Sequence, residues 1–106
     1  MKRNFCPTHL SPEARKIWKE ITSSYRIDDP AGVRILRVAL ESFDRAQGAR
    51  VQIEAEGLTV RDKFGQLKSH PLLPIERDNR AAFLAGLKAL NLDLEPLKEI
   101  GRPPGR

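Results

Sequence analysis

One cysteine, one methionine, one tryptophan and one tyrosine stand in a chain of 106 residues, and each scarcity removes a class of protein. A lone Cys6 forms no internal disulfide, so stability has to come from packing, and a reducing compartment suits the chain. No apolar run approaches the roughly 18 residues that span a bilayer, and the start of the chain lacks the apolar stretch of a signal peptide. A soluble, cytoplasmic protein without a membrane partner is expected. Glycine-rich phosphate loops are missing, and Ser23-Ser24 has no companion base signature; the sequence therefore reads as non-enzymatic, with no catalytic residue and no cofactor. Cys6-x-x-His9 and His70 supply three possible zinc ligands, but a structural zinc site takes four and the sequence pattern offers no fourth. The simpler expectation is a local hydrogen bond from His9 ahead of the first helix, and a turn position for His70 before Pro71.

What is present is charge. Nineteen Lys and Arg against fourteen Asp and Glu leave a formal +5, which favours an anionic partner without identifying one. A chain this short holds a single small domain with limited core energy, and self-association is the common remedy.

Helix signals are strong. Ser11-Pro12-Glu13 combines a capping hydroxyl, a proline suited to the first turn and an acid at the positive dipole end. Leu10, Ala14, Ile17, Trp18, Ile21 and Tyr25 then recur at helical spacing, opposite a basic face of Arg15, Lys19 and Arg26. Trp18 is read as the anchor of this helix rather than as a stacking platform for bases. Asp28-Asp29-Pro30 repeats the cap-then-proline signal and opens a second helix reaching Glu56, where Gly57 ends it. At 1.5 Å per residue such a helix is about 40 Å long, more than its own partners cover, so part of it is expected to meet another subunit through Leu36, Leu40, Phe43, Val51 and Ile53. The pairs Arg37 with Glu41, Glu41 with Arg45 and Arg50 with Glu54 are spaced to brace its exposed side. Gly48 is read as a bend or a close-packing point.

The alternation of Leu58 to Arg61, the turn chemistry of Asp62 to Gly65 and a return through Gln66 to Ser69 predict a short β-hairpin. A third helix is expected over 72–90, with a short one over 93–100. The expected fold is mainly α: a three-helix domain with a long second helix, a hairpin between helices two and three, and flexible termini. Its parts are a basic arm over 1–8, a helical core and oligomerisation domain over 9–92, and a basic Gly/Pro/Arg tail within 93–106. Mobile Lys2 and Arg3 at one end and Arg102 and Arg106 at the other join Arg15, Lys19 and Arg26 as candidate DNA contacts. Gly101-Arg102-Pro103 can lay an Arg along an A·T-rich minor groove, although a disordered soluble end is the simpler expectation for this tail.

Several residues in order carry a resemblance: His9-Leu10-Ser11-Pro12-Glu13-Ala14 followed by Trp18, the long helix ending at Glu56-Gly57 before Leu58-Thr59-Val60, then Gly65, His70-Pro71 and the closing Gly101-Arg102-Pro103-Pro104-Gly105. In this arrangement the chain resembles the small subunits of tailed-bacteriophage terminases, in particular the short helical family of cohesive-end phages. The resemblance implies a homo-oligomeric ring in the host cell cytoplasm that binds double-stranded viral DNA and presents it to the large terminase subunit, which carries the ATPase and nuclease. The family supplies no agreed DNA-reading motif to transfer onto these residues. The competing expectation is a small helical adaptor that docks a protein through its wide apolar second helix and never binds DNA.

Overall fold

The structure is a computed structural model that describes residues 6–92. Three helices and one antiparallel hairpin make it up, in the order α1 (Pro12–Ser24), α2 (Pro30–Glu56), β1 (Thr59–Arg61), β2 (Leu67–Ser69) and α3 (Leu73–Ala89). The mainly helical class, the hairpin and its place between the second and third helices agree with the sequence. The short helix expected over 93–100 and the basic tail lie outside the described residues.

Local chemistry sets the helix ends. The Ser11 hydroxyl accepts from the Ala14 N–H at 3.0 Å, and the Asp29 carboxylate accepts from the Gly32 N–H at 2.9 Å. In each case a proline follows the cap, where its fixed φ suits the helix and its missing N–H costs nothing. Gly57 closes α2 at φ +94°, a conformation that side-chain-bearing residues avoid, with its N–H bonded to the Ile53 carbonyl at 2.7 Å. α1 stops with neither glycine nor proline: Tyr25 turns extended, and two residues later Ile27 is buried in the core. That burial takes the chain out of the helix, so Arg26 does not continue the basic face of α1 as its spacing suggested.

The core gathers Leu10, Ala14, Trp18, Ile27, Leu36 and Leu40, with Val33, Phe43, Phe83 and Leu90 packed against it. Trp18 is 2% exposed and does anchor α1 on α2. α3 runs antiparallel along another side of α2: Gly86 abuts Ala39, and the Phe83 ring lies 5.2 Å from that of Phe43 at 56°. A Cβ placed on Gly86 would come within 2.7 Å of the Ala39 Cβ, so this glycine sets the closest approach of the two helices. Gly48, by contrast, has nothing within 4 Å of the point where a methyl group would stand, so it is not a close-packing point; it lies within the continuous span of α2.

Two tethers tie the start of α1 to α2. Asp44 accepts from both the N–H of Ser11, at 2.8 Å, and its hydroxyl. His9 Nε2 lies 2.7 Å from the Glu41 carboxylate. The expected local bond of His9 is thus a contact across 32 positions, and Glu41 takes His9 rather than Arg37 or Arg45; Arg50 and Glu54 do pair, at 3.6 Å. Cys6 packs against the core and Pro7 is half-buried, so the loose arm expected over 1–8 does not extend through these positions.

Candidate nucleic-acid interface

The DNA contacts expected from sequence do not assemble into one site. Arg15 and Lys19 stand one turn apart on α1, the first half-buried and the second exposed. Arg26 lies beyond the helix, with its Nε 3.9 Å from Asp28. Lys2, Arg3, Arg102 and Arg106 fall outside the described residues.

The subunit-interface candidates also separate. Leu36 and Leu40 have no exposed surface, and Ile53 is buried at 7%. Phe43 is half-buried against Phe83. These positions serve the chain's own core because the wide apolar stripe of α2 is divided between α1 and α3; they leave no face for a second chain. Only Val51 of the five, at 62%, is well exposed. Val38, outside that expected set and 51% exposed, borders an open apolar groove of about 390 Å³ between α2 and α3, floored by Ala31, Ile35, Ala39, Ala82 and Gly86 and edged by Arg34.

The most exposed large hydrophobic side chain among the described residues is on the hairpin. Its strands pair Thr59 with Ser69, Val60 with Lys68, and Arg61 with Leu67. Side chains alternate across a ribbon, so Arg61 and Lys68 stand on opposite faces. Lys63 and Phe64 occupy the tip, where Phe64 is 76% exposed and lies 5.6 Å, ring centroid to Nζ, from Lys63. A large ring in water at a turn has no packing explanation, unlike the ring of Phe83.

Hydrogen bonds close that tip. The Gly65 N–H closes the turn on the Asp62 carbonyl at 2.9 Å, and Gly65 takes φ +82°. Asp62 Oδ1 accepts from the N–H groups of Phe64 and Gln66, at 2.8 and 3.0 Å. Arg61 Nη1 donates to the Gly65 carbonyl at 2.6 Å, leaving its other N–H groups for a ligand. The single carboxylate of the turn is therefore spent on the backbone, while Lys63 and Lys68 are exposed and Arg61 is anchored across the turn on the Gly65 carbonyl.

His70 clamps the base. It is 3% exposed, and its Nδ1 accepts from the Leu72 N–H at 3.1 Å, which leaves the proton on Nε2 to donate to Glu56 Oε1 at 2.6 Å. Its backbone N–H bonds the Leu58 carbonyl at 2.8 Å, and its carbonyl receives the Leu73 N–H at 3.1 Å. One residue thus joins the end of α2, the hairpin and the start of α3, which has no Ser, Thr, Asp or Asn cap of its own. The His70 hydrogen bond, followed by one from Gln52, holds the Glu56 carboxyl below the usual glutamate range. At the first turn of α3, the forked hydrogen bonds from Arg80 lower Glu76 in the same sense, and Glu76 raises Arg80.

His9 and His70 are held by different carboxylates, and among the described residues no three His, Cys, Asp or Glu side chains gather as a metal site. No helix among them is long and apolar enough to cross a membrane. Lys63 and Phe64 escape the sequence reading because a turn has no periodicity, and Arg61 and Lys68 because strand register decides which cations share the ribbon; the usable signal was a Lys-Phe pair placed where a turn normally carries small polar residues. No protein-family model, curated protein or solved structure matches the chain.

Proposed function

We propose that this chain is a viral DNA-packaging factor of the terminase small-subunit kind, a homo-oligomeric ring that binds double-stranded viral DNA in the host cytoplasm and passes it to a large terminase subunit. The support begins with the ordered residues that resemble that family. The observation that carries the reading is the apolar groove beside Val38, left open by the chain's own helices on a molecule of formal charge +5. Copies joined through such grooves repeat a modest positive charge around an assembly, and repeated weak phosphate contacts give firm yet releasable binding to DNA. A factor that loads a motor needs that combination.

Native mass spectrometry of the purified chain, with and without duplex DNA, tests it. A closed assembly larger than a dimer is expected, and it should gain the mass of the duplex. Val38→Glu, placing a charge in the groove without touching the core, should release folded monomers. A wild-type chain that remains monomeric at micromolar concentration and takes up no DNA would instead favour the adaptor reading, with the groove receiving another protein.

A further inference from the structure

We infer that the hairpin of Arg61, Lys63, Phe64 and Lys68 is the DNA-contacting element, entering the major groove of duplex DNA as a two-stranded ribbon with Phe64 leading. This rests on the DNA-binding reading above and moves the contact from the chain ends and α1 to a part of the molecule that reading did not use. The major groove is about 12 Å wide and admits a two-stranded β-ribbon. A ribbon inside it has a phosphate wall on each side, and here Arg61 and Lys68 project from opposite faces, one toward each wall. Lys63, beside Phe64 and exposed, adds a third cation whose long side chain reaches back to a phosphate wall. Phe64, 76% exposed, is carried to the groove floor, where apolar side chains meet the thymine methyl group. The complementarity is one of charge: the turn's carboxylate, Asp62, is held inward by two backbone N–H groups. Preorganisation favours the same partner, because the turn bonds and the His70 clamp fix the ribbon before it binds, so little ordering entropy is lost on contact.

The test is fluorescence anisotropy of the full chain on a labelled mixed-sequence duplex over a range of salt. Wild-type affinity should fall linearly as log affinity against log salt. Lys63→Gln with Lys68→Gln should make that slope shallower by about two for each hairpin engaged, since each lost phosphate contact removes about 0.9. Phe64→Ser should weaken binding at an unchanged slope, because an apolar contact releases no counterion. All these side chains are exposed, and unchanged thermal midpoints are the control. Independently of any variant, duplex DNA should protect Lys63 and Lys68 of the wild-type chain from an amine-acetylating reagent read by mass spectrometry. Wild-type affinity and slope in the variants, or protection of Lys16 and Lys19 in place of the hairpin lysines, would overturn the inference while leaving DNA binding intact. Tighter binding to the single strand than to its duplex would overturn groove entry. No duplex binding by the wild-type chain would overturn both the inference and the reading beneath it.

Discussion

Glycines 48 and 86 sit on neighbouring helices and ask opposite things of a methyl group. Gly86→Ala places a Cβ 2.7 Å from that of Ala39 and forces α3 away from α2; a loss of about 1–3 kcal/mol is expected by chemical denaturation. Gly48→Ala meets nothing within 4 Å and removes backbone freedom from the unfolded chain, so a gain of about 0.5–1 kcal/mol is expected in the same experiment. A stabilised Gly86→Ala would show that the helices part without cost. Glu56 answers to pH. Its carboxyl titrates below the usual range because His70 and Gln52 bond its charged form. A lowered folded pKa contributes stability above the unfolded value of about 4.3 and loses it as pH falls through the folded one. The difference in thermal midpoint between wild type and Glu56→Gln should therefore be full at neutral pH and close under acid; a difference constant with pH would mean that the carboxylate charge is not what His70 holds.

Among the elements, α1 depends most on a few named tethers. Besides Trp18, it is held at its start by the two Ser11 hydrogen bonds to Asp44. Asp44→Ala strands the Ser11 N–H and hydroxyl, at an expected cost of about 1–3 kcal/mol, and amide exchange should quicken in α1 before it does in α2 or α3. Uniform quickening over all three helices would show one indivisible unit. How far each element could be read in advance follows from where its determinants lie. Both caps, both first-turn prolines and the Gly57 stop are local, and the sequence displays them. The end of α1 depends on Ile27 reaching a core it shares with Leu36 and Leu40 of α2, and the capping of α3 depends on the buried ring of His70. Neither is contained in a short window of sequence. The bond of His9 to Glu41 and that of Ser11 to Asp44 close over 32 and 33 positions, distances at which spacing rules say nothing.

At the scale of the whole molecule, the division of α2 between two partners decides which experiments inform on assembly. Leu40→Asp strikes a side chain with no exposed surface and should unfold the monomer, whereas Val38→Glu alters a groove that the monomer does not fill. A gel-filtration profile separates them: expanded or aggregated material for the first, compact monomer for the second. The candidate DNA surface was only partly legible for a related reason. Charge totals are a property of composition, but which cations share a surface is decided by topology, and the ribbon that gathers Arg61, Lys63 and Lys68 owes its position to a histidine at its foot. That histidine has a mechanical consequence. His70 is bonded at once to Glu56, Leu58, Leu72 and Leu73, so a force applied at Phe64 passes through four hydrogen bonds at the foot of the hairpin. If the hairpin enters a DNA groove as inferred above, a tug along that groove is expected to reach the adjoining ends of α2 and α3 as torque.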